Sequence, residues 1–159
     1  MLNRLKRFEL ITRNSHAVTE RPEQERLGFH PFDVRNIHPR LPPVVKELFD
    51  DGHFAQATFE AFKYVDKEVQ RFSGSQESGF KLMMQVFAGN PPAISLTKMS
   101  NTSEQDEQKG YQFIFAGSAL AIRNPRGHEY GVKDDPDRCL DHLSLASLLL
   151  RRLEDSDYK

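Results

Sequence analysis

The segment between residues 53 and 72 constrains the fold most, because apolar side chains follow it on two separate stripes. One stripe comprises Phe54, Thr58, Ala61, Val65 and Phe72, and the other comprises Phe59, Phe62 and Val69. Both stripes have the three- and four-residue spacing of an α-helix. A helix that is apolar on two sides packs against neighbours on both, so the sequence predicts a central helix that ends near Gly74.

Two shorter segments with apolar spacing flank this central helix. A helix is predicted to start at Pro42 and Pro43 and to end at Gly52, since proline fits a first helical turn. Residues 80–87 are short and apolar, which indicates a helix of about two turns or a buried strand.

A longer helix is predicted to begin with Ser103 as its capping residue. Its second half, residues 111–122, is apolar nearly all round and is therefore predicted to be buried. Asn124 precedes Pro125, and this dipeptide is predicted to end the helix and to open a loop over residues 125–135.

The last predicted helix starts at Asp135 or Asp137 as its N-cap. Its apolar face comprises Leu140, Leu143, Ala146 or Ser147, Leu150 and Leu153. Together these segments predict an all-α fold, an antiparallel bundle of four to five helices.

Residues 38–156 are predicted to form this helical domain, and residues 1–37 a poorly structured N-terminal arm or linker. The arm is polar and without a clear period, apart from a possible short helix over residues 4–11.

Composition limits the classes of function. With 159 residues and a net charge of −1, the chain fits one domain whose nucleic-acid contacts would come from a local patch. The single cysteine, Cys139, has no partner for an internal disulfide or a zinc site. No membrane-spanning run and no signal peptide is predicted, and we expect a cytoplasmic protein.

Residues 123–128 bring together groups that can bind phosphate or carry protons. Arg123 is a permanent cation with a forked donor group, and His128 is suited to proton transfer near neutral pH. Asn124 adds an amide and Arg126 a second cation. Taken alone, Arg123 could simply cap a helix C-terminus, and a loop histidine is common. Because these groups occur together within six residues, a functional site is as good an interpretation as a purely structural one.

Other candidate sites carry weaker signals. Glu104, Asp106 and Glu107 could hold a metal, but acidic residues at a helix start more often complement the helix dipole. Arg151 and Arg152 could join a phosphate-binding patch or form a solvated face. The chain has no phosphate loop and no metal-ligand spacing, so we predict neither a metal nor a cofactor.

Several motifs in a fixed order carry a resemblance to a known family. They are His38-Pro39 and residues 48–57, 59–63, 106–110, 122–129 and 145–153. Over about residues 37–154 the chain resembles the Ymh-type family of bacterial, plasmid and phage proteins. That family in turn resembles the HEPN superfamily, helical domains that include many metal-independent endoribonucleases of toxin–antitoxin and anti-phage defence systems.

The HEPN signature is an arginine, often followed by a polar residue, with a histidine four to six intervening residues further on. Arg123, Asn124 and His128 match it with four intervening residues. Gly127 departs from the pattern, where alanine is expected, but removes no functional group. The resemblance implies a homodimer in which the motifs of two copies face each other, and a possible antitoxin or defence partner.

The resemblance also implies roles for the residues. His128 would act as general base or acid, Arg123 would stabilise charge on the phosphate, and Asn124 would orient one or the other. Arg126 would bind an adjacent phosphate of a single-stranded or loop RNA, cleaved through its 2′-hydroxyl. The alternatives are a non-catalytic helical module that binds RNA or a partner protein, and a purely structural dimerisation unit.

Overall fold

The computed structural model describes residues 29–129 and 131–156. The chain divides into two compact units, Met1–Val34 and Arg35–Lys159. The described part of the first unit contains a short helix, α1 (Pro31–Val34). The predicted helix at residues 4–11, and most of the predicted N-terminal arm, lie outside the described residues.

The second unit is a bundle of helices, which confirms the predicted all-α fold. The elements are α2 (Pro43–Asp50), α3 (Phe54–Ser73), α4 (Gly79–Val86), α5 (Thr102–Ser118), a π-helical turn (Ala119–Arg123), α6 (Asn124–His128) and α7 (Pro136–Glu154). Helix, and not strand, is therefore the correct alternative for residues 80–87. In the described ranges, the only β-type pairing is an isolated bridge between Gly89 and Pro92.

Helix α3 lies at the centre of the bundle, as its two stripes predict. It packs against α2, α4, α6, α7 and the π-helical turn. Its buried residues come from both stripes and include Thr58, Ala61, Phe62, Val65 and Val69. It ends at Gly74, whose φ of 70° is the left-handed conformation that favours glycine.

The start of α5 differs from the prediction. The capping residue is Asn101, whose side chain accepts a 3.0 Å hydrogen bond from the Glu104 backbone N–H, so the assignment of Ser103 is wrong. An asparagine oxygen caps a helix as well as a serine hydroxyl does, so the helix begins earlier than the sequence analysis placed it.

The prediction that residues 111–122 are buried nearly all round is also wrong. The face that packs on the bundle includes Gln108 and Gln112, whose side-chain amides form hydrogen bonds with the backbone of residues 84–96. Three apolar side chains on the opposite face are exposed to solvent: Phe113 is 53%, Ile114 42% and Leu120 49% exposed.

Asn124 and Pro125 do not end the helix, contrary to the prediction. Asn124 is helical, with φ −60° and ψ −46°, and α6 continues to His128. Proline lacks an N–H and its ring clashes with the carbonyl four residues earlier, so a regular α-helix cannot pass it unchanged. The preceding turn, Ala119–Arg123, accommodates this by widening to the π-helical pattern. The predicted loop therefore begins after His128 and not at Pro125.

Helix α7 begins at Asp135, one of the two predicted caps, which accepts a 2.8 Å hydrogen bond from the Arg138 N–H. Its buried face includes Leu140, Leu143, Ala146, Ser147, Leu150 and Leu153, as predicted. None of the helices within the described residues combines the length and the apolar character needed to cross a bilayer.

Candidate functional site

A cleft of about 360 Å³ brings together three of the predicted site residues. Arg123, Asn124 and His128 line it from the π-helical turn and α6. Opposite them stand Phe59 of α3, together with Ser78, Gly79 and Phe80 at the start of α4. Because α6 is helical, His128 lies one turn beyond Asn124 on the same side. A continued helix, and not the predicted bend, therefore brings His128 to the arginine.

Arg123 has unused hydrogen-bonding capacity. Its side chain is 21% exposed, and its closest acid is Asp66, with 3.8 Å between Nη2 and Oδ2. That distance is an ion pair but too long for a hydrogen bond. Its Nε is buried and has no hydrogen-bond partner within the described part of the chain. A guanidinium with unsatisfied donors beside a cleft is suited to binding an anion.

Asp66 connects Arg123 to the start of α4. This carboxylate is only 2% exposed, and its Oδ1 accepts a 2.7 Å hydrogen bond from the Gly79 N–H. Gly79 has a φ of +61°, and a β-carbon there would lie 3.3 Å from Nη1 of Arg123. Asp66 thus holds Arg123 by charge, and the missing side chain of Gly79 leaves space for the guanidinium beside the cleft.

Arg126 has a different environment, although it lies only three residues after Arg123. It stands about 200° around the helix from both Asn124 and His128, so it points away from them. Its Nε and Nη2 each donate a 2.7 Å hydrogen bond to Asp134, and its Nη1 donates to the Ile122 carbonyl at 2.8 Å. The two side chains are 7% and 1% exposed. The predicted phosphate contact has no support here, because these donors are occupied and buried.

The Arg126–Asp134 pair also affects a histidine of α7. Nδ1 of His142 lies 3.4 Å from Nη2 of Arg126. Burial, followed by the positive charge of Arg126, lowers the pKa of His142.

Gly127 provides space, which the sequence did not indicate. A β-carbon at this position would lie 2.7 Å from Cε2 of Phe59, well inside van der Waals contact. The glycine therefore allows the Phe59 ring to approach α6 at the cleft. Alanine, which the family pattern predicts here, would displace that ring.

The arginines near the end of α7 lie outside the cleft. Arg151 donates to the Asn36 carbonyl at 2.7 Å. Arg152 donates to the Leu96 carbonyl and to Glu107, and its guanidinium lies 5.1 Å from the Tyr111 ring centroid. Nε of Arg152 is buried without a hydrogen-bond partner in the described ranges, as Nε of Arg123 is, but its Nη2 bonds within the bundle. The predicted share of Arg151 and Arg152 in substrate binding stays a prediction.

The acidic residues at the start of α5 have structural contacts. Glu104 accepts hydrogen bonds from the backbone and hydroxyl of Ser100, which lower the pKa of this carboxyl. Glu107 pairs with Arg152 at 2.6 Å. Throughout residues 29–129 and 131–156, no three His, Cys, Asp or Glu side chains converge as metal ligands would.

The sequence did not reveal the residues that face the motif. Asp66 is a charged residue in a buried helix, which is a usable signal, since buried carboxylates have partners. Phe59 and Phe80 carry no signal of their own, because a phenylalanine in an apolar segment is expected in the core.

Comparison with known proteins places the chain in one family. The model of a family described as "Protein of unknown function (Hypoth_ymh)" matches residues 35–153, so the chain belongs to that family, which confirms the Ymh-type resemblance. No curated protein and no solved structure matches the chain.

Proposed function

We propose that this Hypoth_ymh-family protein is a metal-independent endoribonuclease of the HEPN type. The observation that carries the proposal is the contrast between two neighbouring arginines. The guanidinium of Arg126 is buried and paired with Asp134, whereas Nε of Arg123 has no partner among the described residues and its side chain lines a cleft with Asn124 and the exposed His128. A cation with unused donors beside a proton carrier supplies the two groups that this phosphodiester transfer needs.

The reaction proposed is an attack within the RNA itself. The 2′-oxygen forms a bond to phosphorus while the bond from phosphorus to the 5′-oxygen breaks. His128 accepts the proton of the 2′-hydroxyl, and the leaving 5′-oxygen takes a proton from a second acid. The products are a 2′,3′-cyclic phosphate and a 5′-hydroxyl. Arg123 stabilises the charge that builds on the non-bridging oxygens, and Asn124 orients the phosphate or the imidazole.

The second acid is proposed to be His128 of another copy of the chain. An apolar stripe on the outer face of α5 and the π-helical turn supports a homodimer. It comprises Phe113, Ile114, Gly117, Leu120 and Ala121, all exposed. Leu120 lies one turn before Asn124, so the stripe runs directly into the cleft. Two such stripes in contact would bring two clefts together. Leu120→Lys is expected to yield monomers in analytical ultracentrifugation and to abolish cleavage.

The biological setting proposed is a toxin or effector of anti-phage defence acting in the cytoplasm, held in check by an antitoxin or another partner. The substrate is single-stranded or loop RNA, in which the 2′-hydroxyl can align with the phosphorus.

The direct test is cleavage of varied RNAs in excess EDTA. The native chain is expected to cleave, and Arg123→Ala and His128→Ala are each expected to lose about 100-fold or more in rate. Arg138→Ala and His53→Ala are matched controls, because they remove an arginine and a histidine that do not line the cleft. The same variants, expressed in cells, should differ in toxicity in the same order.

Two results would contradict the proposal. Equal cleavage by the native chain and both cleft variants would indicate a contaminant. Absence of native cleavage and toxicity, combined with salt-dependent RNA retention that needs Arg123, would favour the non-catalytic binding module.

A further inference from the structure

The cleft contains an aromatic side chain that the proposed phosphate chemistry does not use. Phe80 is 42% exposed, although its neighbours in α4, Leu82 and Met83, are at most 2% exposed. A phenylalanine in this apolar helix is expected to face the core, but its ring instead lines the cleft that contains Arg123.

We propose that Phe80 is the stacking platform for a nucleobase of the RNA, the one attached to the nucleotide whose phosphate Arg123 holds. The inference rests on the proposed function and adds what the site recognises in its substrate. Phe80 follows Gly79, whose α-carbon lies close enough to Arg123 that a β-carbon would be 3.3 Å from Nη1. The Phe80 ring and the Arg123 side chain line one cleft, an arrangement that suits a base and its own phosphate.

Phe59 completes the aromatic side of the site. Its ring lines the same cleft and occupies the space left by the missing side chain of Gly127. The cleft volume of about 360 Å³ is near the lower end of ligand pockets, which range over about 300–1,000 Å³. A volume of this size suits a single unstacked nucleotide. Every base has a π-face, so the platform should tolerate any sequence.

A tryptophan at position 80 provides a direct probe, because the chain contains no tryptophan. Phe80→Trp is titrated with a 2′-O-methyl RNA oligonucleotide, which binds but lacks the attacking hydroxyl. Stacking predicts saturable quenching of the indole fluorescence. The quenching should weaken with an oligonucleotide that is abasic at every position. Phe72→Trp is the matched control, since Phe72 is a partly buried phenylalanine that does not line the cleft.

Affinities provide the second measurement. Phe80→Leu keeps an apolar side chain but lacks a π-face, and it should bind the same oligonucleotide about 5-fold to 100-fold more weakly. Phe80→Tyr should bind as the native chain does. Circular dichroism of each variant confirms that the fold is kept.

The inference is overturned if Phe80→Leu binds as tightly as the native chain, or if intact and abasic oligonucleotides quench equally. It is also overturned if Phe80→Leu changes self-association in ultracentrifugation and leaves RNA affinity unchanged. These results leave the proposed function standing when the native chain still cleaves RNA. A native chain that neither binds nor cleaves RNA overturns both.

Discussion

Replacing Asp134 by asparagine is expected to destabilise the bundle strongly, because it leaves Arg126 buried without a counter-charge. The carboxylate accepts two 2.7 Å hydrogen bonds from a side chain that is 7% exposed. An amide offers one oxygen, and its NH₂ group would face the guanidinium donors. Breaking one side of a buried pair costs about 3–5 kcal/mol. Because Arg126 keeps its bond to the Ile122 carbonyl, the lower end, about 3 kcal/mol, is expected.

Thermal and urea unfolding measure this cost, and a fall of roughly 10 °C in Tm is expected for Asp134→Asn. The double variant Arg126→Met/Asp134→Leu should stay within about 1 kcal/mol of the native chain, since no charge is then left unpaired. Asp141→Asn is the control for an exposed pair, because Asp141 is 69% exposed beside Arg35, and the expected loss is below about 1 kcal/mol.

A second readout reports on the charge of Arg126 itself. Arg126→Met removes the largest of the positive charges that lower the pKa of His142, so that pKa should rise in an NMR titration. The structural role of Arg126 would be refuted if Asp134→Asn unfolded like the native chain. It would also be refuted if Arg126→Met kept full stability but lost RNA affinity.

Three further predictions concern the cleft and the core. Asp66→Asn keeps an acceptor for the Gly79 N–H but removes the negative charge that positions Arg123. The rate of RNA cleavage should therefore fall roughly 10- to 100-fold. Affinity for 2′-O-methyl RNA should hold or rise in this variant, whereas a merely misfolded variant would lose both. Gly127→Ala should lower the free energy of unfolding in urea by about 1 kcal/mol, because its β-carbon would meet the Phe59 ring. Adding Phe59→Leu should remove this loss, and additive losses in the double variant would contradict the contact. Burial raises the pKa of the Cys139 thiol to about 11, so iodoacetamide at pH 8 should modify it only on unfolding; rapid modification of the folded chain would contradict this.

The central part of the fold was predictable because burial leaves a periodic signal. The stripes around Phe62 and Val65 identify α3 as central, and Asp135, one of two predicted caps, starts α7. The prediction for α5 was wrong because Phe113 and Ile114 are apolar and yet exposed, while two glutamines are buried. The spacing of apolar residues does not distinguish a helix face that packs within the chain from an apolar face that is exposed on its surface.

The candidate site was predictable in its residue types but not in its geometry. The motif identifies Arg123 and His128, yet a proline inside a helix reads as a stop unless the preceding turn can widen. The partners of each arginine come from distant positions, Asp66 and Asp134, which no local pattern links to them. Only the tertiary contacts distinguish Arg123, which lines the cleft with its Nε unpaired among the described residues, from Arg126, which is buried against Asp134.

The chemical groups at the fragment ends distinguish attack by the 2′-hydroxyl from other routes of RNA cleavage. A defined RNA is cleaved in excess EDTA, and the fragments are analysed by mass spectrometry beside an RNA that carries 2′-O-methyl at the cleavage position. Attack by the 2′-hydroxyl predicts a 2′,3′-cyclic phosphate and a 5′-hydroxyl, no cleavage at the methylated position, and no product from His128→Ala. Fragments with 5′-phosphate and 3′-hydroxyl ends, or cleavage that persists at the methylated position, would contradict it.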